Sequence, residues 1–222
     1  MAAARVRPNN MKWIVGIDEV GRGALAGPVT AAAAALALDA RGHIAHAPFR
    51  SLKDSKKLSA TQREFWTKEL RNNAGVRFAV ARVYPRGIER TNISAAANRA
   101  VQSAFSRLLK KYKFPPQTPV FLDGGLYLGS KARQQALIAD KIVSAKTVIK
   151  ADERIPAVAA ASIIAKVSRD AYMRRLAKRY PPYGFDIHKG YGTAAHLRAI
   201  KKYGPCAVHR LTFLKKHSKI NR

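Results

Sequence analysis

The chain has 222 residues, 47% of them hydrophobic, enough for one core-forming domain and incompatible with wholesale disorder. Its 42 Lys and Arg against 13 Asp and Glu give a formal charge of +29, a field that points to a polyanionic partner and above all to nucleic acid. No run of about 18 apolar residues offers a membrane-spanning helix, and a single cysteine, Cys206, excludes an internal disulfide framework and fits a reducing cytoplasm.

Residues 1–10 are polar and basic and are expected to form a disordered start, not a signal peptide. Residues 13–17 are rich in β-branched and aromatic types and read as a buried strand that ends abruptly in Asp18-Glu19 and then Gly21-Arg22-Gly23. Residues 28–38 read as a second strand joined to the first as a hairpin, and residues 50–57 as a polar loop. A helix is expected from Ser59, which has Gln62 in capping-box spacing, to about Asn73, where Gly75 stops it. Residues 76–84 alternate like a strand, Pro85-Arg86-Gly87 turns the chain, and residues 93–112 carry an apolar helical stripe. A proline-rich linker leads into a short strand at 120–122, ending in Asp123-Gly124-Gly125. Another strand is expected over 141–150, and Pro156 opens a long helix to Tyr180. Pro181-Pro182-Tyr183-Gly184 breaks it, and a helix over 193–203 precedes a basic end. Strands first and helices mixed in afterwards imply an α/β layer with a mixed sheet.

In so basic a chain the acids can be weighed one by one. Asp18 and Glu19 end one apolar strand and Asp123 ends another, and two strand ends at one sheet edge would bring the three together, where α/β sheets bind ligands. Adjacent carboxylates there are costly to bury unless cations pair with them. The glycine-flanked Arg22 allows close backbone approach and offers a fork for phosphate or ribose. Asp170 lies in a long basic helix, where it either pairs with Arg174 or borders the buried stripe and turns to the carboxylate edge. Asp152-Glu153 lies in a polar loop before Pro156, where acids favour a helix N-terminus, and reads as bland. Glu64, Glu69 and Glu89 read as solvated.

The blocks Gly16-Ile17-Asp18-Glu19-Val20-Gly21-Arg22-Gly23 with Ala26-Gly27-Pro28, Asp54-Ser55-Lys56-Lys57-Leu58, Leu122-Asp123-Gly124, residues 159–170, Gly190-Tyr191-Gly192-Thr193 with His196, and Gly204-Pro205 with His209-Arg210 together resemble the bacterial ribonuclease HII family, in the family's order and over nearly the whole chain. Val20, Thr212 and Lys53 depart from its usual residues. The resemblance implies a ribonuclease H-like mixed sheet flanked by helices over residues 11–180, with a basic C-terminal helical extension over 181–222. It implies hydrolysis of the RNA strand of RNA–DNA hybrids and incision at single ribonucleotides embedded in duplex DNA. It places the family's four metal-binding carboxylates on Asp18, Glu19, Asp123 and Asp170. It gives Gly21-Arg22-Gly23 contact with ribose 2′-hydroxyls and Tyr191 stacking on a sugar at the RNA-to-DNA junction.

Phosphodiester hydrolysis needs an activated water and stabilisation of the leaving oxygen, which two Mg²⁺ or Mn²⁺ ions about 3.5–4 Å apart supply. Four carboxylates without a Cys/His set suit those hard ions rather than zinc. Ser55, Lys56, Lys150 and Lys166 are candidate phosphate contacts. The last 22 residues, with seven Lys and Arg and no acid, are expected along duplex backbone. The expectation is a cytoplasmic monomer with no membrane contact. A non-catalytic nucleic-acid coat would explain the charge but not carboxylates at two strand ends. A DNA-only nuclease would explain the metal site but not Gly21-Arg22-Gly23 with Tyr191.

Overall fold

A computed structural model describes residues 11–52, 55–129 and 145–220. Its centre is a five-stranded mixed sheet built from β1 (Lys12–Val20), β2 (Val29–Leu38), β3 (Val76–Val83), β4 (Val120–Asp123) and β5 (Ala145–Val148), in the order β3-β2-β1-β4-β5. β1 pairs antiparallel with β2, and β2 antiparallel with β3. β4 runs parallel to both β1 and β5, so β1 and β4 finish at the same edge and bring Asp18 and Asp123 there.

β2 is the sequence's alanine run, and alanine is a poor strand former. Its place is set by packing, because both faces of the sheet are covered. Ala31, Ala33, Ala35 and Ala37 face one cluster, with Ala97, Val101, Ala104 and Phe105 of α3 (Ile93–Lys111). Ala32, Ala34 and Leu36 face the other, with Ala157, Ala160, Ile163 and Ile164 of α5 (Pro156–Arg179). The two-residue period of a strand thus splits uniform alanines between two helical layers, and their small side chains let both helices come close. Gly16 at the centre of β1 makes the same point: a Cβ there would sit 2.1 Å from backbone atoms of Ala157 and Val158. α1 (Ala60–Asn72) packs outside α5, capped by Ser59 through the reciprocal bonds expected with Gln62.

Several expectations shift. The Pro85 turn is instead the short helix α2 (Pro85–Glu89), since proline costs nothing in a first helical turn. Of the strand expected over 141–150, residues 145–148 form β5, and 141–144 lie outside the described residues. Lys150, with φ 54°, then turns the chain into the one-turn helix α4 (Ala151–Arg154), so Asp152 and Glu153 are helical, not in a loop. Beyond α5 come α6 (Phe185–His188), the expected α7 (Ala194–Tyr203) and, in the basic end, α8 (Leu211–Ile220). The start expected to be disordered, 1–10, lies outside the described residues. No described helix is long and apolar enough to cross a membrane.

Candidate active site

The two parallel strand ends and α4 converge. Asp18, on β1, is 6% exposed and accepts the Glu19 backbone N–H at 2.7 Å. Asp123, the last residue of β4, accepts the Ala151 N–H at 2.7 Å and so fixes the start of α4. The next residue of that helix, Asp152, is 1% exposed and points back at the strand ends. One oxygen from each of Asp18, Asp123 and Asp152 lies within 4.8 Å of the others. Asp152 Oδ2 accepts from Lys56 Nζ at 3.1 Å, whereas its Oδ1 is buried with no hydrogen-bond partner among the described residues.

The charges are arranged against their own repulsion. Burial holds Asp18 well above the ordinary carboxylate range, and the Glu19 and Asp123 charges add to the rise. Glu19 is also raised by burial, partly offset by Arg22, whose Nη1 lies 3.4 Å from its Oε1. Lys56 is raised by its bond to Asp152 and by the nearby Asp18 and Asp123 charges. An orphaned Asp152 oxygen close to Asp123 and to the raised carboxyl group of Asp18 fits a hard divalent cation with oxygen ligands, Mg²⁺ or Mn²⁺.

Asp170, expected at this edge, lies elsewhere. Ser162 is the α5 residue that bonds Asp18, and Asp170 is eight residues further along the helix, about 12 Å by helical rise. It faces Lys166 at 4.0 Å in a separate cavity of about 260 Å³ that Arg63 and Lys189 also line. Asp152, set aside in the sequence, takes the position at the edge. The available signal was a second Asp-Glu pair just after the strand expected over 141–150, which no local pattern tied to Asp123.

Gly21 has φ +91°, and a Cβ there would lie 2.2 Å from Arg169 Nε, so its glycine is required by the backbone and by packing. Gly23 is different: nothing lies within 4 Å of its Cβ position. The loop from Gly21 to Pro28 is held by two fully buried arginines. Arg210 donates to the carbonyls of Gly21 and Arg22 at 2.8 Å and of Gly27 at 2.9 and 3.0 Å. Arg169 donates to Pro28 and Ala26 carbonyls at 3.0 and 3.2 Å. Burial, then the Arg169 charge, pushes Arg210 down to about 9, which leaves it charged at neutral pH. Neither arginine was singled out in the sequence, because their partners are carbonyls more than a hundred residues away.

Tyr191 comes to the same loop. Its ring lies 5.2 Å beneath the Arg169 guanidinium, and the preceding Gly190 carbonyl accepts from Leu25 and Ala26 N–H groups. His196 Nδ1 lies 2.9 Å from the Tyr191 carbonyl, and its Nε2 3.1 Å from His209 Nε2. Of the candidate phosphate contacts, Lys56 stands at the cluster, but Ser55 is buried with its hydroxyl 2.6 Å from that of Ser162. Lys166 is partly buried against Asp170, and Lys150 pairs with Glu153 at 3.8 Å.

A family model described as ribonuclease HII matches residues 15–218 of the chain. Ribonuclease HII of Nitratidesulfovibrio vulgaris is 43% identical over 198 residues, covering 89% of this chain and 84% of that one. Ribonuclease HII of Chlamydia caviae is 42% identical over 200 residues, covering 90% and 83%. Among solved structures, ribonuclease H2 of Pyrococcus horikoshii superposes with a TM-score of 0.68 at 25% identity, covering 90% of this chain and 93% of that one.

Proposed function

This chain belongs to the ribonuclease HII family, a metal-dependent endoribonuclease acting on the RNA strand of RNA–DNA hybrids, and from that premise we propose that it also incises duplex DNA at single embedded ribonucleotides, with Asp18, Glu19, Asp123 and Asp152 as its metal ligands. The observation that carries the ligand set is the buried Oδ1 of Asp152, without a hydrogen-bond partner among the described residues and grouped with two strand-end carboxylates. Asp170, on the Lys166 side of α5, is left out of the set.

These acids would hold Mg²⁺ or Mn²⁺, which would supply an activated water and charge neutralisation at the leaving 3′-oxygen. The chain's own residues hold the donors still. The Glu19 and Ala151 N–H groups orient Asp18 and Asp123, and Lys56 orients Asp152 through Oδ2, leaving Oδ1 for the cation. Ribose selectivity needs polar groups aimed at the 2′-hydroxyl. With the Gly21, Arg22 and Gly27 carbonyls engaged by Arg210, the open space at Gly23 admits a sugar, and Arg22, 40% exposed, reaches the adjacent phosphate. Tyr191, held by Arg169 above its ring and by Gly190 in the backbone, offers a fixed stacking surface at the junction. The protein acts as a cytoplasmic monomer in this reading.

Three labelled duplexes test it with Mg²⁺, with Mn²⁺ and with chelator: all DNA, one embedded ribonucleotide, and a full hybrid. Metal-dependent incision of both ribose-containing duplexes is expected. Cutting of the hybrid alone would remove the junction role of Tyr191, and binding without any cut would leave a nucleic-acid coat.

A further inference from the structure

A cleft of about 570 Å³ runs between α1, α5 and the end of β3, apart from the carboxylate cluster. Lys68 and Arg71 of α1, Arg82 of β3, and Arg174 and Arg175 of α5 line it, against a single acid, Glu64. Glu64 is paired with Arg174 at 3.0 Å, so the lining carries five cations against one acid that is already engaged. Arg82 and Arg175 differ from a solvated basic face in being held. Arg82 Nη2 donates to the Ser168 hydroxyl at 2.6 Å, and the Tyr172 ring lies 5.6 Å from the Arg82 guanidinium and 5.7 Å from that of Arg175. Arg82 Nε is buried without a hydrogen-bond partner among the described residues. Fixed like charges around an open cleft repel one another until a multiply charged anion enters.

The cleft also adjoins the Asp170 cavity on the same helix whose Ser162 bonds Asp18. It shares Glu64, Val167 and Arg174 with the cavity that holds Lys166 and Asp170. Ser162, Lys166, Asp170 and Arg174 recur every four residues and so form one ridge of α5, beginning at the residue that bonds Asp18. From Ser162 to Arg175, next to the end of that ridge, the helix rises about 20 Å, the length of roughly six base pairs at about 3.4 Å each.

We propose that the α1–α5 cleft is a second phosphate-binding site, taking the backbone of the substrate duplex about six base pairs from the point of cleavage. The inference rests on the reading of the carboxylate edge as the place where a duplex is cut. It gives part of the chain's +29 charge a location and a task.

The test compares the protein with a Lys68→Ala/Arg71→Ala/Arg175→Ala variant, whose three positions are exposed on helices and outside the catalytic set. Binding is measured in chelator across a salt series on two duplexes, each with one central ribonucleotide. One is hairpin-closed with about four base pairs on either side, too short to reach the cleft, and the other has about twelve. On the long duplex the slope of log affinity against log salt is expected to fall by about 2–3 in the variant, near 0.9 for each lost phosphate contact. On the short duplex, slope and metal-dependent cleavage are expected to match. Glu64→Gln should tighten binding to the long duplex only, a gain that misfolding cannot produce. Equal slopes on the long duplex, or equal losses on both duplexes, would overturn the proposal. So would inorganic triphosphate that binds the protein but not the variant while the slopes agree, since the cleft would then serve a free nucleotide. Because the slopes are read without cleavage, they decide the cleft even if the short duplex proves uncut and the nuclease reading fails.

Discussion

Replacing Arg210 with methionine keeps an unbranched apolar stem but removes a fully buried guanidinium that makes four hydrogen bonds to the carbonyls of Gly21, Arg22 and Gly27. Each buried acceptor left without a donor costs about 1–3 kcal/mol, and part of that is offset because the guanidinium no longer has to be dehydrated. Removal of one member of a buried charged network sets the net scale at about 3–5 kcal/mol. For a chain of this size that is a fall of roughly 6–20 °C in melting temperature. The functional effect should be larger than the stability effect at permissive temperature, because the released carbonyls belong to the loop proposed to meet the ribose. Urea titration gives the stability, and cleavage rates on single-ribonucleotide and full-hybrid duplexes give the selectivity. The expected outcome is a destabilised but folded protein whose rate on the single ribonucleotide falls further than on the hybrid. A loss under about 1 kcal/mol with unchanged selectivity would refute the role assigned to the buried arginines.

Gly16→Ala places a Cβ within 2.1 Å of α5 backbone, which only a shift of the helix from β1 can relieve. Overpacking of this kind costs about 1–3 kcal/mol, and a displacement of about 1 Å between Ser162 and Asp18 should lower kcat by roughly 10². Unchanged melting and turnover would contradict the close approach of strand and helix. His196 is fully buried, and burial pushes it down to about 4, with His188 and His209 lowered for the same reason. The unfolded chain therefore binds more protons than the folded one between about pH 4 and 6.5, so stability falls as pH drops through that window. His196 alone accounts for about 2 kcal/mol between neutral pH and pH 5. His196→Asn should flatten that dependence in urea titrations, and an equally steep curve would place the acid sensitivity elsewhere.

Much of this frame is legible in the sequence where the signal is local. The apolar run into Asp18, the Ser59–Gln62 capping box and Pro156 at the head of a helix each depend on a few neighbouring residues. Asp18 and Asp123 are legible as a pair because strands at one edge of a sheet end together. Asp152 is not, since its direction comes from Lys150 at φ 54° and from the bond between Asp123 and the Ala151 N–H, 28 residues apart. Longer separations in sequence hide Ser55, turned inward by Ser162, and both buried arginines, whose carbonyl partners lie more than a hundred residues away. Asp170 sits correctly at the border of the helix's buried stripe, but helical rise carries it past the carboxylate edge.

The most direct measurement compares Asp152→Asn with Asp170→Asn, by calorimetric titration with Mn²⁺ and by cleavage of a single-ribonucleotide duplex. Asp152→Asn is expected to weaken Mn²⁺ binding at least about tenfold and to slow cleavage by at least about 10². Asp170→Asn should change either quantity by less than about threefold, the scale of an exposed ion pair. The reverse ranking, with Asp170 essential and Asp152 dispensable, would contradict the metal site assigned to this chain.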